Sequence, residues 1–354
     1  MDIDLAALEA RYDAFIQLHL DDAEARSQRL APPQHYRLGP LRLSLQVEGD
    51  ALAQRLGMAI RHAADSATAS DQALTVVAID GSAAGRLPPA WKLPTYDRRH
   101  LERLHVSSDG QRLLHHNPDT TNWTILDRQR RLALTWTASA DRLPDWEDSF
   151  PLRTILHWMS TPTTAALAHA AVVETGERGL LLTGRGGSGK STTTVAAILS
   201  GMRTCGDDFI MVDQGESEAT AYCLYDTIKL DDNALARFPE LATLVANPER
   251  TSDQKARIHL SDHSPASLIR QTVLRGIVVP MVTQDATPSI TPLDPAVALR
   301  ALAPTTLFLL RGDEAPLSAK LVQLVKRLPT WQLRLSQDPL ASAAFLRDWC
   351  EQSL

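Results

Sequence analysis

The chain has 354 residues, 44% hydrophobic and 22% charged, the balance of a globular protein with room for two domains or one large one. Its net charge of −6 excludes a global basic field for nucleic acid or anionic lipid, and no apolar run is long enough to cross a membrane. Cys205, Cys223 and Cys350 lack the close spacing of a zinc site or a disulfide framework and read as ordinary thiols. The acidic start Met1-Asp2-Ile3-Asp4 does not read as a secretion signal, so the cytoplasm is the expected compartment.

Leu5, Leu8, Tyr12, Phe15 and Ile16 share one face at helical spacing, a stripe that serves either core packing or a partner chain. Pro32-Pro33 closes that region. Strands are expected from Tyr36 to Val47, a helix from Ala51 to Ala64, and a strand from Leu74 to Ile79 before a loop rich in proline, glycine and small residues. Leu104 to Thr137 reads as short antiparallel strands with turns at Asp109-Gly110 and Asn117-Pro118. His115 and His116 face opposite sides of such a strand and read as a solvent-exposed pair, not a metal site. The polar stretch from Ala138 to Pro151 divides the chain into an α+β N-terminal domain (1–148), for substrate recognition or regulation, and an α/β domain (149–354).

In the second domain Gly179 to Thr183 reads as a short buried strand, and Ser191 to Ser200 as a helix that Gly201 ends. Between them Gly184-Arg185-Gly186-Gly187-Ser188-Gly189-Lys190-Ser191 fits G-x-x-x-x-G-K-[ST], the phosphate-cradling loop. Gly184, Gly186, Gly187, Ser188 and Gly189 let backbone N–H groups close around an anion. Lys190 reaches the β- and γ-phosphates, Ser191 takes a place on Mg²⁺, and Thr192 joins the phosphate-binding set at the positive end of the helix. The expected cofactor is a nucleoside triphosphate with Mg²⁺.

Two flanking features narrow the class. Ala168 to Val173, a turn at 174–178 and the loop's strand form an antiparallel hairpin, which carries His169 towards the nucleotide site and makes the sheet mixed. After Gly201, the pair Asp207-Asp208 leads directly into the strand Phe209 to Val212. One carboxylate of such a pair can hold the metal while the other accepts the proton of an attacking hydroxyl. An ordinary metabolite kinase would instead use Asp213, about 13 Å away at the far end of that strand. Which end faces Lys190 separates the two.

Further on, Gly276 to Val279 is a buried strand that Pro280 should end, Asp294-Pro295 starts a helix, and Thr305 to Leu310 is a strand candidate. Leu317 to Leu328 reads as a helix, Trp331, Leu333 and Leu335 as one face of a strand, and Asp338-Pro339 opens the last helix. Lys229 can contact a phosphate or simply end a strand. Lys255, Arg257, His259 and His263 form a basic cluster that either closes over the γ-phosphate or remains a solvated loop. Arg185 sits in the variable part of the glycine-rich motif.

The order His169, turn, Gly-Leu-Leu-Leu-Thr-Gly-Arg-Gly-Gly-Ser-Gly-Lys-Ser, short helix and Gly-Asp-Asp resembles the catalytic domain of HPr kinase/phosphorylase and the wider set of HPr-kinase-related bacterial proteins. The resemblance spans roughly residues 150–354 and is specific over 169–213. It implies a phosphoenolpyruvate-carboxykinase-like fold, ATP and Mg²⁺ as cofactors, and transfer of the γ-phosphate to a serine hydroxyl. Carried over, Asp207 is the base, Asp208 a metal carboxylate beside Ser191, and His169 a neighbour of the γ-phosphate or of the base. The family's Glu-Ile-Arg-Gly-Ile-Gly signature is replaced here by Tyr225-Asp226-Thr227-Ile228-Lys229-Leu230, so neither phosphorolysis nor HPr as acceptor is implied. Its members are often oligomeric, which makes a homo-oligomer the implied assembly. The acceptor is expected to be a protein or peptide serine. A small hydroxyl metabolite, or a non-catalytic nucleotide-binding subunit, stands as the alternative.

Overall fold

The computed structural model describes residues 5–66, 72–86, 89, 103–117 and 120–354. The acidic N-terminus, most of the loop expected after Ile79, and Pro118 of the second turn lie outside the described residues. The chain forms two compact units, Met1–Met159 with Arg311–Asp313, and Ser160–Leu310 with Glu314–Leu354. The break thus lies beyond the polar stretch taken as a boundary. Arg55 holds that stretch in the first unit, donating to Asp148 and to the carbonyls of Ala140, Leu143 and Pro144. Residues 311–313 join the same unit because the carbonyls of Arg311 and Gly312 bond the Trp158 and His157 rings at 2.7 and 2.6 Å.

In the first unit, helix α1 (Leu5–Ser27) precedes strands β1 (Gln34–Leu38) and β2 (Leu41–Glu48), helix α2 (Asp50–Met58) and strand β3 (Leu74–Asp80). Strands β4 (Arg103–Val106), β5 (Arg112–Asn117), β6 (Asn122–Asp127) and β7 (Leu132–Thr137) form the expected meander. Helices α3 (Asp145–Ser149) and α4 (Arg153–Ser160) follow. The seven strands make one sheet in the order β1-β2-β3-β7-β6-β5-β4. The α1 stripe is core: Ile16 and Leu20 pack with Val77, Leu114, Trp123 and Leu134. The histidine pair is not solvent-exposed, because His116 is buried with its ring stacked 4.0 Å from Trp123.

The second unit opens with β8 (Ala165–His169), β9 (Ala171–Thr175), β10 (Arg178–Leu182), α5 (Lys190–Leu199), β11 (Arg203–Gly206), β12 (Phe209–Gln214) and β13 (Ala219–Cys223). There follow β14 (Thr227–Leu230), α6 (Asp232–Leu235), β15 (Ala256–His259), α7 (Leu260–His263), β16 (Gln271–Val282), β17 (Ser289–Pro292), α8 (Pro295–Leu309), α9 (Glu314–Arg327), β18 (Thr330–Leu335) and α10 (Pro339–Ser353). The sheet is mixed. It runs β11-β9-β10-β16-β13-β12-β8, with β18 also on β16 and β17 on β18. β10 and β18 are parallel to β16, while β9 is antiparallel to β10. On one face α5 and α10 bury Val195, Ala196, Leu346 and Cys350 against Val173, Leu180 and Leu333.

Two expectations fail for tertiary reasons. Pro280 does not end its strand, since β16 continues to Val282 and pairs Pro280 with Leu333. Ile277 turns its N–H towards Pro329, so by alternation the proline's missing donor faces the other side, where β10 has already ended at Leu182. Thr305 to Leu309 is not a strand but the end of α8, with Leu310 as its C-cap; the helix buries Ala298, Leu302 and Thr306 at every fourth position and tolerates an exposed Pro304.

Candidate functional site

β10 ends at Leu182, and the chain turns through Thr183–Gly189 into α5. Glycine is required where this loop folds on itself. Gly184 has φ +156°, and a Cβ there would lie 2.5 Å from Ser188 Oγ; Gly189 has φ +96° and the side chain of Leu335 at 2.6 Å. Gly186 and Gly187 face open space, Arg185 is exposed, and Ser191 and Thr192 are half-buried in the first turn of α5. Lys190 is buried, and its Nζ donates to the Gly184 carbonyl at 2.7 Å. Burial pulls the pKa of that ammonium down, an effect that Asp207 and Asp208 oppose and Lys255 reinforces.

The carboxylate pair sits on a strained turn. Gly206 has φ +120°, with the Tyr225 carbonyl oxygen 2.9 Å from where a Cβ would stand. Asp208 is left-handed at φ 66°, a conformation that costs roughly 1–3 kcal/mol outside glycine. Bonds from Phe209 N to Asp207 O (2.9 Å) and from Ala170 N to Asp208 O (3.0 Å) hold the turn. β12 pairs antiparallel with β8 so that Phe209 faces His169, and this register sets His169 Nε2 3.4 Å from Asp208 Oδ1.

The two carboxylates occupy different electrostatic environments. Asp207 is 1% exposed. Burial, then the neighbouring charge of Asp208, pushes its pKa up to about 7 against the opposing pull of Ser191, Lys190 and Lys255. The Ser191 hydroxyl favours the ionised form but falls short of hydrogen-bond geometry, and among the described residues neither Asp207 oxygen has a partner. Asp208 goes the other way. Burial works against its charge, but His169, Lys229 and Lys255 outweigh it and hold the pKa at about 2.

Of the sequence-derived candidates, Lys190, Ser191, Asp207, Asp208 and His169 therefore belong to one cluster, and Lys229 and Lys255 act on it. Asp213 does not. It lies at the far end of β12, pairs with Ala165, and accepts from Thr164 Oγ1 at 2.5 Å. His259 turns to the buried carboxylate of Asp226 at 2.9 Å, a partner also shared by Ser261. Sequence reasoning missed Thr306, whose Oγ1 accepts from His169 N at 3.0 Å; the four-residue period of α8 was the available signal.

The residues fit a magnesium-bound triphosphate. Thr183 Oγ1, Ser188 Oγ and Thr193 Oγ1, like both Asp207 oxygens, are buried without a partner among the described residues. Unsatisfied groups gathered around a glycine-lined turn and an ammonium suit an anionic ligand with a bound cation.

Fold and site define an α/β protein with a mixed sheet and a glycine-rich strand-to-helix loop beside a carboxylate pair. No family model and no curated protein matches the chain. Among solved structures it is similar to the HPr(Ser) kinase/phosphatase from Coxiella burnetii, at 14% identity and a TM-score of 0.30, over 53% of this chain and 99% of that one.

Proposed function

We propose that the chain is an ATP-dependent kinase that transfers the γ-phosphate to a hydroxyl group, with a protein or peptide serine as the acceptor. The observation that carries this reading is Asp207: a buried carboxylate whose two oxygens have no partner among the described residues and whose pKa is pushed up to about 7, beside Lys190 and Ser191. A general base works best when its pKa lies near the working pH.

The glycine-rich loop would wrap the phosphates with its N–H groups, and Lys190 would exchange the Gly184 carbonyl for β- and γ-oxygens. Ser191 and Asp208 would hold Mg²⁺. Bound there, ATP with Mg²⁺ supplies the phosphoryl group and offsets the charge that develops on it. Asp207 takes the proton of the acceptor hydroxyl, while His169 keeps Asp208 ionised and oriented. Lys229 and Lys255, which bear on Asp208, add positive charge to the site. A metabolite kinase built on Asp213 is disfavoured, because it is the Asp207 end of β12 that acts on Lys190.

The test is transfer from γ-labelled ATP with Mg²⁺ into a fractionated bacterial lysate, comparing wild type with Asp207→Asn. Label in a polypeptide that disappears in the variant supports the proposal and identifies the acceptor. Label confined to small molecules shifts the acceptor to a metabolite. Equal labelling by both proteins removes Asp207 as the base.

A further inference from the structure

Against the later turns of α5, the second unit contains an apolar hollow of about 310 Å³. Ile198 and Leu199 of α5 form one wall, Ile228 of β14 and Ile258 of β15 the floor, and Leu241 and Leu244 of the turn Pro239–Leu244 the facing wall. Its titratable lining residues, Glu240 and His263, are exposed, whereas Ile228 and Ile258 are 2% and 3% exposed. Ligand pockets of small-molecule size begin at about 300 Å³ and are mostly apolar. An apolar hollow this large forfeits packing when it is empty, and it offers water no polar partners at its floor.

We propose that this hollow is a binding site for an uncharged, aromatic or aliphatic small molecule. An apolar cavity of about 150 Å³ takes one benzene, so twice that volume fits roughly a dozen carbons, the size of a fused bicycle or a medium-length alkyl chain. A charged ligand is excluded, because the deep wall has only hydrocarbon to offer it. The walls are the helix that begins at Lys190 and the hairpin that carries Lys229, so an occupant bears on two elements of the candidate site.

The probe is 1-naphthylamine, a neutral fused bicycle of the size the hollow holds, whose emission shifts to the blue in apolar surroundings, titrated into the full chain without nucleotide. Its result is therefore independent of the kinase reading. One saturable site is expected, with a thermal midpoint that rises with probe concentration. Leu244→Trp and Ser264→Trp, which fill the hollow from two sides, should each weaken binding at least tenfold, with folding checked by near-ultraviolet circular dichroism. Unsaturable binding, an unmoved midpoint at high probe, or wild-type affinity in the folded variants would overturn the proposal.

Discussion

His169 Nε2 lies 3.4 Å from Asp208 Oδ1, where β8 and β12 pair, and the contact separates two adjacent carboxylates into different roles. With His169 beside it Asp208 is held ionised at about 2, and its charge helps raise Asp207 to about 7. Two neighbouring aspartates with displaced pKa values form an acid–base pair whose assignment follows from environment. His169→Ala is therefore expected to slow transfer by about tenfold to a hundredfold, less than Asp207→Asn, and to alter the acid limb of the pH–rate profile. A wild-type rate and profile would leave His169 a structural residue.

Asp207 costs the folded protein stability. Its folded pKa lies above its ordinary value of 3.8, so the folded chain holds a proton that the unfolded chain releases. Stability falls as pH rises from about 4 to about 7 and is then level. Asp207→Asn removes this loss, so relative to wild type the variant should gain stability as pH rises from about 4 to about 8. Asp208 contributes in the opposite sense, losing its stabilisation as pH falls below about 4. Denaturant melts at the two pH values decide the matter. Transfer by the wild type should rise with pH through about 7.

Lys190→Ala should weaken Mg-ATP binding at least tenfold, measured by calorimetry, because the only buried ammonium of the loop is lost. Unchanged affinity would contradict a phosphate-binding role.

Gly206→Ala should destabilise by about 1–3 kcal/mol, read from denaturant melts. The obstacle is the Tyr225 backbone oxygen at 2.9 Å, which cannot swing away as a side chain does. The turn carrying Asp207 shifts with it, so transfer should fall as well. A variant as stable and as active as wild type would show that the turn has slack.

Asp213→Ala should leave transfer within about threefold of wild type, because that residue is held at the other end of β12 by Thr164. A large loss would reverse the choice between the two ends.

Eight contiguous residues were legible from the chain alone as a loop between a strand and a helix. A glycine loop from strand to helix is local backbone geometry, so Gly184 to Ser191 and their flanking elements are readable without the rest of the chain. The hairpin and the Asp-Pro helix starts are legible for the same reason, with Asp294 and Asp338 accepting from Ala296 N and Leu340 N as their caps. Tertiary structure decided what depends on neighbours distant in sequence. Pro280 stays in a strand because β10 has ended beside it, and the run to Leu309 is helical because every fourth residue is buried. Asp207 is favoured over Asp213 because sheet pairing sets which end of β12 meets α5. Only burial beside Asp208 raises the pKa of an ordinary carboxylate towards neutrality, since desolvation and Coulomb energy depend on what surrounds the group in space.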